Sequence, residues 1–362
     1  MKNNLTICYF GIFDPHFSRN AVYIKGLREN GVNVIVCTDR SSGIKKYINI
    51  VKRFLRIKKE IDLIIVGYSG HIIVPFAKIL STLTIRKPVI FDALCSFYES
   101  NILSRDAFKK MPFRNIYAHF IDWLANKSAD VILLETEKQK EYYIDKLKVS
   151  KEKCLVAYTG VDDSQFYYDQ TIKKLDTFTV LFRGKFTPEA GLKYIIETAR
   201  IIQQHGEKIN FRIVGYGWGK INDDTQKKIK ELKLKNLEFI NKHLSFEELR
   251  KNILECHVSL GQFENHERLQ RTIPHKAFEA MVMKIPYFTG RNEPSKEILE
   301  DGKTCLFVNL ADSEDLVNKI LQLKNDRVLS DFLIKNGFEL YQSKLIAKVL
   351  AKNLLSLLPD SH

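Results

Sequence analysis

The strongest constraint on this chain is an alternation that is run through twice. In the first half, short apolar runs over 5–11, 32–38, 62–68, 87–93, 129–135 and 153–158 read as strands. Between them, apolar residues recur at helical spacing over 20–30, 43–59, after His71, and over 114–128 and 136–146. A strand that is apolar throughout is covered on both faces, which marks a parallel sheet with helices on each side. At TGVDDSQF (159–166) the pattern stops, and a polar link runs to Lys174. It then resumes with strands over 178–184, 209–217, 237–242, 257–263, 286–290 and 304–309. The sequence thus predicts an α/β protein of two Rossmann-like doubly wound domains facing across a cleft lined by strand carboxyl ends. The first domain is expected over 1–168 and the second over 169–342; the apolar helical segment in 343–362 closes the second or packs back on the first. The stretch from Ser96 to Pro112 reads as irregular and polar.

A length of 362 residues fits two domains. The formal charge of +14 points to an anionic partner: nucleotide, nucleic acid or anionic lipid. The six cysteines are scattered, without a CxxC pair, and most lie in apolar runs. They are expected as small buried hydrophobes in a reducing, cytoplasmic setting, not as disulfides or metal ligands. No signal peptide is expected at the start, and the longest apolar run, 63–77, is too broken to span a bilayer.

The stretch Leu269 to Gly290, LQRTIPHKAFEAMVMKIPYFTG, reads as a short amphipathic helix to Met283 followed by a strand. Pro274 would sit in the helix's first turn, leaving the next amides directed out as an anion site, with Lys276 beside them and Glu279 one turn on. Such a set suits a phosphorylated, hydroxyl-rich ligand. An ordinary capped helix with a solvated Lys and Glu has the same local pattern. The GKFTPEAG turn (184–191) offers Gly184 for close backbone approach and Lys185 for a phosphate, and VGYGWG (214–219) adds Gly215 in a GxG turn after a strand. Neither is a full dinucleotide fingerprint.

In the first half, GIFDPHFSRN (11–20) follows the first strand and carries Asp14, His16 and Arg19, a candidate acceptor-binding loop or an ordinary surface loop. Asp92 ends an apolar strand, where a carboxylate needs a reason to be, either orienting an acceptor or capping the next segment. His71 stands in a turn after a strand and is structural or acceptor-binding. Segment 43–60 carries seven basic residues against one Glu. Its apolar face, expected to hold Ile44, Tyr47, Ile48, Val51, Phe54 and Leu55, packs on the sheet, while Lys45, Lys52, Arg53, Arg56 and Lys59 are solvated or meet an anionic membrane surface. No aromatic platform accompanies these charges, so no nucleic-acid partner is expected. No acidic pair has metal-like placement, so no metal is expected either.

The order TGVDDSQF, VLFRGKFTPEAGLKYIIETARII, FRIVGYG, LEFINKHLSFEEL, KAFEAMVMKIPYFTG, EILEDGKTCLFV resembles glycosyltransferase family four over most of the second domain; the first domain shares only the general plan. The resemblance implies a GT-B fold and retaining transfer of a sugar from a nucleotide-sugar, the co-substrate, with no further cofactor. It implies a glycan or lipid-linked acceptor, and cell-surface polysaccharide or glycolipid assembly at the inner face of a membrane. Gly184 and Lys185 match a Gly-Arg pair at the donor diphosphate. Glu279 matches the second Glu of a Glu, seven residues, Glu motif that holds the ribose. Thr272, Ile273 and Lys276 match the loop at the donor sugar and phosphate, and Asn241 and Lys242 the turn beside the base. Two departures stand out: the first Glu of the motif is Arg271, and the usual Lys of the turn at 188–191 is Ala190. Lys276 is the expected replacement cation. Asp92, Lys185, Lys276 and Glu279 are the candidate catalytic set. A GT-B epimerase or a catalytically silent membrane scaffold are the rival readings.

Overall fold

The computed structural model describes residues 5–105, 111–217 and 220–358, and the chain divides into two compact units. Unit 1 comprises residues 1–162 with 345–362, and unit 2 residues 163–344. The break falls at Asp162, six residues before the sequence boundary, and the final helix groups with unit 1.

Unit 1 runs β1 (Thr6–Gly11), α1 (Ser18–Glu29), β2 (Asn33–Thr38), α2 (Lys45–Ile57), β3 (Leu63–Val66), α3 (Val74–Thr84), β4 (Val89–Leu94), α4 (Pro112–Ser128), β5 (Val131–Leu134), α5 (Glu137–Asp145) and β6 (Cys154–Val156). Its sheet has the order β2-β1-β3-β4-β5-β6, with every pair parallel. Cys8, Phe10, Val66 and Phe91 face one layer of helices, meeting Ile50 and Phe54 of α2, Val74 and Ala77 of α3, Ala125 of α4 and Tyr143 of α5. The sequence places six apolar residues of segment 43–60 on the core face, but the observed helix is rotated from that. Only Ile50 and Phe54 are buried, and Ile44, Ile48 and Leu55 lie open to solvent. Tyr47 and Ile57, partly buried, pack beside them against the same core. Within Ser96 to Pro112, a π-helical turn spans Glu99–Leu103, and 106–110 lie outside the described residues.

Unit 2 runs β7 (Phe178–Lys185), α6 (Leu192–Gln204), β8 (Ile209–Tyr216), α7 (Lys220–Glu231), β9 (Leu237–Asn241), α8 (Phe246–Glu255), β10 (Val258–Leu260), α9 (Lys276–Val282), β11 (Tyr287–Gly290), α10 (Glu293–Lys296), β12 (Leu306–Val308), α11 (Ser313–Asn325) and α12 (Arg327–Leu340). The parallel sheet order is β12-β11-β10-β7-β8-β9. α13 (Ala347–Leu357) then returns to unit 1, where the Asn30 amide donates to the Lys348 carbonyl at 2.8 Å. Gly26 makes this packing feasible, because a Cβ there would stand 2.0 Å from the Ala347 carbonyl oxygen. In both sheets the first strand is an interior one and the order reverses beside it, at β1/β3 and at β7/β10. Ligands of doubly wound folds bind at the carboxyl ends of the strands flanking such a reversal.

Candidate functional site

In unit 2, the end of β7 sets the geometry. Register pairs Gly184 with Gly215 and Gly215 with Asn241, so three strand ends stand side by side. A Cβ on Gly215 would lie 1.8 Å from the Gly184 carbonyl oxygen. Gly184 has φ +141°, and a Cβ there would meet Lys276 Cε at 2.9 Å. The glycine therefore gives both the strand's exit conformation and the passage for the lysine stem.

Arg183, the residue before Gly184, reaches the first turn of α9. Its Nε donates to Glu279 Oε2 at 2.6 Å, and its Nη2 pairs with Oε1. His275 Nδ1 lies 3.1 Å from the same Oε1, and the Glu279 carboxylate is buried. From the loop after β10, Arg268 Nη1 meets Glu189 Oε1 at 2.6 Å; Glu189 is buried in the turn after β7. Lys276 completes the set, 8% exposed, with Nζ 4.7 Å from the centroid of the Phe182 ring. Among the described residues, no carboxylate makes an ion pair with it. Burial, with the Arg183 charge beside it, pulls the Lys276 ammonium down to about 7; Glu189 opposes that shift and Arg268 adds to it. Three guanidinium and ammonium groups thus share two carboxylates. A buried cation without an opposite charge is costly, and an anion supplied from outside lowers that cost.

The helix start differs from the sequence expectation. α9 begins at Lys276, not before Pro274, and a separate short turn covers Glu267–Gln270. The amides of Ala277 and Phe278 donate to the carbonyls of Pro274 and His275 at 2.9 and 3.1 Å. Those donors are spent within the turn, so side chains carry the positive charge here. In the turn after β7, Pro188–Ala190 form a 3-10 turn, and Gly191, at φ +68°, opens α6. Thr272 is half-buried and Ile273 fully buried. Arg271, largely buried, pairs with Glu267 at 3.1 Å, so this arginine is tied back into its own turn.

Lys185 is exposed, its Nζ 5.8 Å from the centroid of the Tyr216 ring, which stacks on His243 at 5.0 Å. Asn241 Oδ1 accepts from the Gly217 amide at 3.1 Å, and Lys242 is exposed with Nζ 3.4 Å from Glu248. Trp218 and Gly219 of the VGYGWG turn lie outside the described residues.

In unit 1, Asp14 and His16 stand on the loop after β1, where Asp14 pairs with Arg40 at 3.2 Å and accepts from the His16 amide at 3.0 Å. Arg19 is not on that loop. It lies in the first turn of α1, buried, with Nε on Asp92 Oδ1 at 2.7 Å and Nη1 on the Ala157 carbonyl and Thr159 Oγ1 at 2.8 and 2.9 Å. Most of its donors are thereby spent on the fold, which removes it from a free acceptor loop. Burial raises the Asp92 carboxyl while Arg19 opposes that shift, and Asp92 Oδ2 and Arg19 Nη2 have no hydrogen-bond partner. His71 is buried against Phe91 and Phe97, and burial lowers it to about 4. Its Nε2 is 2.9 Å from the Cys95 carbonyl. A carbonyl only accepts, so Nε2 carries the proton and Nδ1, which has no partner, presents a lone pair. Leu94, at φ +59°, bends the chain between Asp92 and Cys95. A left-handed leucine costs about 1–2 kcal/mol, so the bend is held by its surroundings.

Arg183, Glu189 and Arg268 are the members of this cluster that sequence reasoning passed over. One signal was present: an arginine closing an otherwise apolar strand needs a buried partner.

Two parallel, doubly wound six-stranded units define the GT-B class of glycosyltransferase folds. Residues 163–340, nearly all of the second unit, match the family model of the group 1 glycosyl transferases. The chain is 25% identical over 217 residues to an uncharacterised glycosyltransferase of Methanocaldococcus jannaschii, covering 59% of this chain and 55% of that protein. It is 24% identical over 208 residues to the poly(ribitol-phosphate) alpha-N-acetylglucosaminyltransferase of Staphylococcus aureus, covering 57% of this chain and 39% of that one. The match thus spans about half or less of these curated relatives. Among solved structures, HepE of Anabaena in complex with UDP and glucose superposes with a TM-score of 0.72 at 14% identity, over 97% of this chain and 98% of that one. Among the described residues, no group of three or more His, Cys, Asp or Glu side chains is placed to hold a metal ion, and no helix is long and apolar enough to cross a membrane.

Proposed function

We propose that the protein is a retaining glycosyltransferase that moves a sugar from a nucleotide-diphosphate sugar to a hydroxyl acceptor. The observation that carries this is Lys276, a buried ammonium without its own carboxylate, set between two paired arginines at the β7/β10 reversal. A diphosphate supplies the missing negative charge, and the same cations stabilise the charge that grows on it as the sugar leaves. Lys185, exposed at the strand end, is the second phosphate contact. Lys276 then takes the place of the family lysine that is Ala190 here. Glu279 has acceptor directions left beyond Arg183 and His275, enough for a ribose hydroxyl. Gly215, Asn241 and Lys242 border the base, and Thr272 and Ile273 the sugar.

In the retaining reaction the departing phosphate takes the acceptor's proton, so no separate base, metal or further cofactor is required. In unit 1, the free oxygen of Asp92 and the lone pair of His71 are the groups for acceptor hydroxyls, with Asp14 and His16 further out. HepE with UDP and glucose, and a relative acting on poly(ribitol-phosphate), favour a UDP-sugar donor and a polyol or glycan acceptor in surface-polymer assembly at the inner face of a membrane.

The test is thermal unfolding with UDP, GDP, ADP, CMP and their sugars, for the native chain and Lys276→Ala. A ligand bound only by the folded state stabilises it by about 2.7 kcal/mol at a hundredfold excess over Kd. A shift with one diphosphate that is absent in Lys276→Ala supports the proposal. Flat curves for a folded protein favour the silent scaffold, for which Arg271 in place of the family Glu is the specific observation. Conversion of donor without acceptor favours the epimerase.

A further inference from the structure

The helix layer made by α2, α3 and α4 carries an unusual outer face. On α4, Phe113, Ile116, Tyr117, Phe120 and Trp123 recur at helical spacing and all are exposed, Phe113 to 86%. They form one continuous stripe along the outside of the helix. Beside it, α3 exposes Ile79 and Leu83, to 59% and 79%. Ile44, Ile48 and Leu55 of α2 are exposed on the same side of the sheet, because all three helices pack on one core and Tyr47 of α2 touches Phe76 of α3. Contiguous apolar surface of this kind marks an interaction site.

Charge decides what the site meets. The only carboxylate within the three helices is Asp122, and it is buried, accepting from the amides of Phe97 and Tyr98 at 2.6 and 3.0 Å. The exposed charges that the helices themselves carry are cationic: Lys45, Lys52 and Arg56 interleave with the α2 apolar residues, Lys127 extends over the Trp123 ring at 5.2 Å, and Lys78 of α3 pairs with Asp130 from outside the helices. A second copy of this face would set like charges against each other, which argues against self-pairing. An aromatic stripe edged by lysine and arginine, with Trp and Tyr combining an apolar body and a polar tip, suits the headgroup layer of a bilayer.

We propose that the outer face of α2, α3 and α4 docks on a membrane surface rich in anionic phospholipid, the α4 aromatics entering the headgroup layer and the α2 cations meeting lipid phosphates. This does not depend on the transferase reading. It shifts the main apolar contact to α4, whereas the sequence alone points to the basic segment 43–60.

The experiment uses the full chain with Trp218→Phe, which leaves Trp123 as the single tryptophan. Phosphatidylcholine vesicles are compared with mixed phosphatidylcholine–phosphatidylglycerol vesicles by co-sedimentation and fluorescence. The expected result is binding at least about tenfold stronger to the anionic vesicles, weakened by salt, with Trp123 emission shifted to the blue and quenched by brominated acyl chains. Phe113→Ser with Phe120→Ser should cut that binding by at least about tenfold, and Lys52→Glu with Arg56→Glu should remove the lipid selectivity. These side chains are exposed, and circular dichroism of each variant serves as the check that it folds. Equal binding to both vesicle types, no Trp123 quenching, or binding untouched by either pair of substitutions overturns the proposal. So does a dimer in sedimentation that the Ser variants dissolve, which would make the face an interface between copies. Nucleotide-induced thermal shifts of the same proteins, with no vesicles present, test the transferase reading separately.

Discussion

Each unit holds an arginine at the carboxyl edge of its sheet, paired with a carboxylate from another element, and the two pairs are built to opposite ends. In unit 1, Arg19 and Asp92 are 0% and 1% exposed and balance one to one, and Arg19 also ties down Ala157 and Thr159. In unit 2, Arg183 keeps 19% of its side chain open, Arg268 stands on Glu189, and Lys276 at the same edge makes no ion pair among the described residues. The first pair is a strut. The second leaves Lys276 without an ion-paired carboxylate among the described residues, which is the basis of the proposed anion site. The same residue types therefore mean different things according to whether the charges sum to zero.

The largest effect is expected in the strut. Arg19→Met leaves Asp92 as a buried, unopposed carboxylate, and should cost about 3–5 kcal/mol in the denaturant transition of unit 1. Adding Asp92→Leu should recover much of the loss; a double variant as weak as the single would show that the charge balance is not what matters. Lys276→Met should behave in the reverse sense. Unliganded protein should gain about 1–3 kcal/mol, since a buried charge is removed, while diphosphate affinity falls by about a hundredfold. If stability drops instead, the surplus-cation description of unit 2 is wrong.

Proton linkage sharpens the same contrast. Lys276 titrates at about 7 in the folded chain against 10.5 for an ordinary lysine. Between those values the unfolded chain holds the extra proton, so this group makes the free protein more stable as pH rises through the window. Diphosphate needs the ammonium, so donor affinity should fall above about pH 7, by up to about tenfold per unit, measured by calorimetry in buffers of different ionisation enthalpy. Arg183, which faces the group, is itself pulled down by burial to about 10, so the test is read near pH 8, where it keeps its charge. No proton uptake at pH 8 would remove Lys276 from the phosphate site. Smallest is Asp326→Ala, which removes the side chain that caps α12 by accepting from the Leu329 amide at 2.8 Å, and should cost about 1 kcal/mol while leaving donor affinity unchanged. A change in affinity from this remote cap would show that the strand-end cluster is not self-contained.

The parallel sheets were legible because their strands are apolar without alternation, and the reset near 159–166 was visible as a polar gap. The site was half legible. Gly184, Lys276 and Glu279 lie in recognisable turns and do converge. Arg183 was hidden by its place in an apolar run, and Arg268 by a loop without periodicity, since their partners Glu279 and Glu189 are 96 and 79 residues away in the chain. The orientation of α2 was not readable either. Its apolar residues outnumber the places the sheet edge can cover, and periodicity does not say which ones are left outside.

The return of α13 to α1 has a consequence for how the protein is made. Unit 2 is continuous in the chain, whereas unit 1 is interrupted by it and receives its last helix only when 347–357 has left the ribosome. Domains usually mature in the order of synthesis. Here α1 is made well before the helix it packs on, so until 347–357 emerges Gly26 and its neighbours on α1 face solvent or a chaperone in place of that helix. A stop codon placed after Lys344 would leave a complete unit 2 attached to a nascent chain that can never close its first domain.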